Sequence, residues 1–477
     1  MSPPLRGAPK LAASLAEAVA RAGLRDGATV SFHHHLRNGD AVMAAVLSAL
    51  SAAGLKGLRF APSSLFPVHA SLAPFVEDGT IGAIETAFMT GPFAEVAAAA
   101  AARGQLPPIR LSTHGGRAAA IRDGSLRIDA AFVAAPAADA DGNATGTLGP
   151  NACGALGYPM VDVRHAGHTV IVTDHLVPYP CLPAIIGAED VDTVVVVPSI
   201  GDADGILSGT TQPATDPADQ ALAKRAAALV AASGLLVDGF SFQTGAGGIS
   251  LATAEAVGQL MAERGVSGSF ASGGITALLV RLHEAGLFRA LLDVQCFDLD
   301  AVQSLARNPD HQVISAAAYA APGPRRAVVD RLDAVILGAA EVDRAFNVNV
   351  TRAADGRIIG GSGGHADTAA GARLAIVTTR LTARGFAKIV ERCGSITTPG
   401  GSIDAVVTEA GIAVHPARPE LADRARAAGL PLTSIDDLAR AASAAAERPL
   451  PPRATGSVIA HSLARDGTVL DEIRSAI

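Results

Sequence analysis

The sequence predicts an α/β protein built as two tandem open α/β domains with mainly parallel sheets. Short β-branched or aromatic runs alternate with longer segments of helical apolar spacing, the pattern of βαβ units. One run, VVVV at 194–197, is apolar on both faces, as in a strand buried inside a parallel sheet. The same alternation restarts in the second half of the chain after a loop-like stretch. A length of 477 residues also exceeds what one ordinary core accommodates.

Residues 1–26 read as an N-terminal helical segment. Its apolar run is interrupted by Glu17 and Arg21, which suits a surface helix and not a secretory leader. The first domain is expected over 27–210. It opens with ATVSF as a strand, HHHLRNGD as a loop, AVMAAVLSALSAAG as a helix and GLRFAP as a strand. TIGAIETAF, the helix GPFAEVAAAAAARG, PIRLSTHGG, IDAAFVAAP, HTVIVTDH and DTVVVVPS extend the sheet, with VVVV expected as a central strand. GILSGTTQPATDPADQ (205–220) reads as a linker, so the boundary is placed there. The second domain, 211–477, repeats the grammar in SGSFASGGITALLVRLHEAGLFRALLDVQCFD, as strand, glycine loop, helix and strand. RLDAVILG, GRIIGG, RLAIVTT, DAVVTEAGIAV and LTSIDDLARAA continue it. Ligands of such sheets bind beyond the carboxyl ends of strands, which directs attention to the loops there.

Composition narrows the function classes. Apolar residues make up 49% and charged residues 17%, the balance of a globular protein. A net charge of -7 argues against a dedicated nucleic-acid binder. Cys153, Cys181, Cys296 and Cys393 lie far apart and form no C-x-x-C pair, as in a reducing compartment. No stretch approaches the ~18 consecutive apolar residues of a membrane span. A cytoplasmic protein with neither nucleic-acid nor membrane partner is expected.

The stretch SFHHHLRNGD places His33, His34, His35, Arg37 and Asp40 after a strand. Alternation along an extended chain lets at most two of the three histidines share a metal, and nothing else completes a ligand spacing, so no metal is expected. Its polar reading is an anion-facing loop, with Asp40 capping the next helix; its bland reading is a solvated loop. THGGR, read as a second loop after a strand, brings His114 and Arg117 around two glycines and suggests one pocket supplied by two histidine-arginine loops. GGSGGHAD fits several templates. Gly361, Gly363 and Ala366 match G-x-G-x-x-A, but the acidic residue ~20 positions on is missing. Gly360, Ser362 and Gly364 match a nucleophile elbow, for which His415 and His461 are the available bases. A third reading is a glycine loop cradling a thioester, with QTGAGGIS (243–250) and SGGIT (272–276) as companions. AEVDRAFNVNV adds Glu341, Asp343, Asn347 and Asn349; surface polar residues are the plain alternative.

In order along the chain, SFHHHLRNGD, STHGGR, FQTGAGGISLA, GGITALLVRLHEAGL, LLDVQCFD, QSLARNPDH, VDRLDAVILGAAEVD, FNVNV, GGSGGHADTA and IAVHPARPELADR resemble the citrate lyase alpha subunit, from about Gly27 to Ile477. QSLARNPDH and HPARPELADR together are its most specific signature. The resemblance implies a CoA-transferase fold and a transferase that exchanges acetate for citrate on the thioester of a CoA-like group. That group is carried by the gamma acyl-carrier subunit, and the beta subunit then cleaves the citryl thioester. It implies an acyl thioester as substrate and no tightly bound cofactor.

Many CoA-transferases of related fold use a glutamate nucleophile, in some of them in a GIHTE-like loop, whereas the comparable loop here, GGITALL, has Thr276 and Ala277. Direct attack by citrate's carboxylate is therefore expected. Candidate citrate-binding residues are His33, His34, Arg37, His114 and Arg117. Candidates for the thioester end are Gly245, Gly247, Gly248, Gly273, Gly274, Gly361, Gly363 and Gly364, with Glu341, Asn347 and His365 as polar partners in catalysis. Alternatives are a transferase for citramalate or malonate, a covalent transferase using Glu341, a serine hydrolase using Ser362, and a chain that mainly scaffolds a complex.

Overall fold

The computed structural model describes residues 9–207 and 211–475. Thr29–Phe32 is buried at every position, because both faces of its sheet are covered. Phe32 packs at 5.5 Å from Phe60 and 5.7 Å from Phe132, its neighbours on adjacent strands. Asp40 accepts from the backbone N–H groups of Val42 and Met43 and thereby starts the helix Val42–Ala52, as expected.

The first sheet has ten strands. Their order is Leu11–Ala12, Thr193–Val196, Thr169–Thr173, Ala130–Ala134, Thr29–Phe32, Leu58–Pro62, Ile81–Thr86, Ile109–Leu111, Val458–Leu463 and Val469–Arg474. All neighbours run parallel except the last pair. The chain leaves Thr29–Phe32 toward one edge and later returns to its other side, so the strand order reverses there. The second sheet has nine strands and is parallel apart from the hairpin Ala405–Thr408/Gly411–Val414. It reverses at Ser241–Thr244, which lies between Gly268–Ile275 and Ala334–Gly338. Each half therefore has one topological switch point, where the loops diverge and leave a crevice.

Several expectations are corrected. The VVVV strand is not central: only the two-residue strand Leu11–Ala12 lies outside it, and Val196 is 43% exposed. The glycines of SGGIT lie inside the strand Gly268–Ile275, where the register shifts between Gly273 and Gly274. A bulge of this kind carries the same glycine signal as a loop. THGGR is likewise no loop, because His114 begins the helix His114–Asp123, capped by Thr113. GRIIGG forms no strand, and Ile358 makes one bridge to Arg352. The boundary expected at residue 210 lies outside the described residues. The C-terminal hairpin, counted with the second half, instead extends the first sheet, since Val458–Leu463 pairs with Ile109–Leu111.

The halves interlock through buried polar groups. Asp367 accepts from the Thr113 hydroxyl and the Gly115 N–H, each at 2.8 Å. Gly363 pairs with Thr113 across the divide, and the His114 N–H donates to the Gly363 carbonyl. Gly115 is a packing residue: a Cβ there would overlap the Ala320 carbonyl of the other half.

Candidate functional site

The two switch points face one cavity of about 410 Å³. From the first half come His34, Arg37, Ser64, Phe66, Phe88, His114 and Tyr158; from the second come the 243–247 loop, Gly274, Phe297, Tyr319 and the 361–365 loop. A cavity at this place follows from the topology, because loops leave a switch-point strand in opposite directions.

Arg37 is the main charge on the wall. Its backbone is left-handed, with φ 53°, an uncommon conformation for a residue with a Cβ. The guanidinium carbon lies 4.2 Å from the Phe297 ring centre and 5.5 Å from that of Phe66. Nε and Nη1 are buried with no hydrogen-bond partner among the described residues. Burial pulls its pKa down to about 10, so it remains charged at neutral pH. Phe66 is held from behind: its N–H donates to His69 Nδ1, and His69 Nε2 donates to Asp40. Burial works to raise Asp40's pKa, but the His69 hydrogen bond and the neighbouring histidines hold it below the usual value.

The three consecutive histidines do three different things. His33 donates from Nε2 to the Ala134 carbonyl, and His35 donates to the Ile200 carbonyl. Neither lines the cavity. His34 does, with Nδ1 at 2.6 Å from the Ser63 hydroxyl. That hydroxyl also accepts from the His34 N–H, so one serine ties both the backbone and the ring of His34. Gln295 crosses from the second half to donate to the His34 carbonyl. Burial, then the charges of His114 and Arg37, pushes the His34 pKa well down. Burial takes His33 and His114 to about 3. Among the described residues no group of three or more His, Cys, Asp or Glu is arranged to hold a metal.

Other candidates part company with the cavity. Arg117 is buried in a bidentate pair with Asp162, at 2.9 and 2.8 Å, and also donates to the Ala61 carbonyl. It holds the first half together and does not line the cavity. Its partner lies 45 residues away, which no local motif could announce. Glu341 accepts from the Asn349 side chain and the Gly394 N–H. Asn347 braces a turn through Asp343 and Gly400. Neither lines the cavity.

His365 does line it, but both ring nitrogens are occupied. Nδ1 accepts from the Thr398 hydroxyl and Nε2 donates to the Gly338 carbonyl, while burial lowers the pKa to about 4. Ser362 lines the cavity too, and its hydroxyl accepts from the Ala366 N–H. No histidine bonds it among the described residues, and His415 packs against Phe346 instead.

Of the glycines, Gly245, Gly247, Gly274, Gly361, Gly363 and Gly364 border the cavity, whereas Gly248 and Gly273 do not. Gly274 acts through a neighbour, since a Cβ there would overlap the Phe297 ring under Arg37. Gly247 caps the helix Gly248–Arg264 without a side-chain bond, and the N–H groups of its first turn have no acceptor among the described residues. The amides of Gly361, Ser362 and Gly364 have no backbone acceptor among the described residues. Tyr158, Gln243 and Tyr319 were missed, because isolated tyrosines and glutamines carry no motif.

Three comparisons bear on this arrangement. The family model described as citrate lyase, alpha subunit, matches residues 8–476. The citrate lyase alpha chain of Escherichia coli (strain K12) is 44% identical over 465 residues, covering 97% of this chain and 90% of that protein. Among solved structures, the alpha subunit of citrate lyase from Streptococcus mutans in complex with citrate superposes with a TM-score of 0.96 at 40% identity. It covers 100% of this chain and 93% of that one. A Pseudomonas malonate decarboxylase hetero-tetramer in complex with malonate contains a chain matching at TM-score 0.68 and 16% identity, over 94% and 96% of the two chains. A 4-hydroxybutyrate CoA-transferase from Porphyromonas gingivalis matches at 0.53 and 15%, over 91% and 96%. The last two speak for the fold alone.

Proposed function

The chain belongs to the citrate lyase alpha-subunit family, and on that premise we propose that the cavity between its halves exchanges acetate for citrate on a thioester by direct attack. As a family member it is an enzyme of the citrate CoA-transferase class and one component of a multi-subunit lyase. The partners we propose are the gamma acyl-carrier subunit, which brings the CoA-like thiol, and the beta subunit, which receives the citryl thioester.

The observation that carries this reading is Arg37. A desolvated guanidinium with two unbonded nitrogens is costly, and a carboxylate provides the bidentate partner that its fork accepts. Citrate bound in the S. mutans relative agrees with such an occupant. In the proposed reaction a citrate carboxylate oxygen attacks the acetyl carbonyl carbon, and the thiolate leaves, giving a mixed acetyl–citryl anhydride. The thiolate then attacks the citryl carbonyl and acetate leaves. The cavity contributes orientation, and the open amides of Gly361, Ser362 and Gly364 are suited to developing oxyanions. Glu341 as a covalent nucleophile is disfavoured, since its carboxylate is committed to Asn349 and Gly394, off the cavity.

The test is thioester exchange by the chain supplied with acetyl-CoA and, in turn, citrate, citramalate, itaconate and malonate, with borohydride trapping during turnover. Citrate is expected to be the best acceptor, and no glutamyl thioester should be trapped. Arg37→Ala should lower kcat/KM for citrate about 10- to 150-fold, the worth of one charge-assisted hydrogen bond of about 1.5–3 kcal/mol. The KM for the thioester should change less than about threefold. An equal loss on both substrates would remove Arg37 from the acid site, and absence of exchange with citrate would remove the reading as a whole.

A further inference from the structure

Resting on that exchange reaction, we infer that Tyr158 is a catalytic residue, donating a hydrogen bond from its hydroxyl to the oxyanion formed when a carboxylate attacks the thioester carbonyl. Tyr158 lies immediately before the helix Pro159–His165, with its side chain on the cavity wall. Its ring centre is 4.7 Å from that of His34 and 4.6 Å from that of His114, while those two are 6.1 Å apart. The tyrosine therefore packs against both cavity histidines.

The hydroxyl has no hydrogen-bond partner among the described residues, although Tyr158 is only 6% exposed. Tyr319, on the same wall, differs: its hydroxyl accepts from the Gln243 side chain. The hydroxyl is not among the sealed, unpartnered polar atoms of the interior, so it opens onto the cavity, where an occupant can supply its acceptor. The charge of Arg37 also acts on Tyr158, so both groups address the same region of the cavity. Burial drives the tyrosine's pKa far above its ordinary value, with further push from Tyr319 and nearby carboxylates, so it keeps its proton. The cavity histidines are neutral for the same reason. The tyrosine can therefore give a hydrogen bond while keeping its proton.

The balance is simple. As the carboxylate oxygen bonds to the acyl carbon, the carbonyl π pair moves onto oxygen, and Tyr158 donates to that oxygen while keeping its O–H bond. Collapse restores the carbonyl and expels the thiolate. The same donor serves the second addition, which expels acetate. Because the charge is concentrated on oxygen only at the tetrahedral stage, the interaction acts on kcat more than on binding.

The test is Tyr158→Phe in the full chain, assayed with acetyl-CoA and citrate beside wild type and checked for an unchanged melting temperature. A fall in kcat of about 10²-fold, the scale of one lost oxyanion donor, is expected, with KM for citrate within about threefold. Site-specific 3-fluorotyrosine at 158 gives a second readout, since its more acidic hydroxyl should restore most of the rate that phenylalanine loses. A kcat within threefold of wild type, or a loss confined to KM, would overturn the inference. So would a fluorotyrosine enzyme as slow as the phenylalanine one. Wild-type chain inactive on citrate would instead remove the underlying reaction.

Discussion

Four histidines, His33, His34, His114 and His365, are buried and neutral, and this sets how the protein responds to acid. Desolvation is the largest cause in each, and each folded pKa lies below the ordinary 6.5. The unfolded chain therefore binds these protons first. Their contribution to stability is complete above pH 6.5 and is lost as pH falls toward 3–4. Asp367 runs the other way. Burial raises it from 3.8 to about 6, so its protonation favours the fold as pH drops through 6. Asp298 and Asp404 are also raised by burial and offset the histidines in part. Urea unfolding should show stability falling by about 1 kcal/mol per histidine between pH 7 and 5.5, and a flat or rising profile would contradict it. Little of this was legible in sequence. Strand alternation separates His34 from its neighbours, but only the packing decides which side meets the cavity.

Elements were easier to read than side chains where burial is uniform. The strands Ala130–Ala134 and Leu374–Thr378 are buried at every position, and nearly continuous apolar runs announce them. The glycine-rich stretches misled, because glycine marks a loop, a bulge and a close approach alike. At 273–274 it marks a bulged strand whose missing side chains admit Gln243 and Phe297. That gives Gly274 a role at a distance: it makes room for the ring that carries Arg37. Gly274→Ala should displace Phe297 and forfeit a cation–π contact worth about 0.5–2 kcal/mol. The expected result is a KM for citrate raised about 2- to 30-fold with the thioester KM little changed. An unaltered citrate KM would show that Phe297 is not needed under the guanidinium.

At the scale of the molecule, two sheets, each reversing its strand order once, bring their switch points to a common cavity. The two-halves reading anticipated this, but not the return of the C-terminal hairpin to the first sheet, which depends on a pairing some 350 residues apart. The first sheet is thus bounded at one edge by Leu11–Ala12 and at the other by Val469–Arg474. This order has a consequence for synthesis. While the chain is being made, the second sheet has all its strands before the first has its last two. Until then Ile109–Leu111 presents a bare edge able to pair with another nascent chain. A chain ended at residue 457 should keep both cavity loops yet accumulate as aggregate when expressed. Supplying 458–475 in trans, or adding a lysine to the uncovered strand, should return part of it to solution. A well-behaved truncated monomer would mean that the edge is guarded by something other than its final partner.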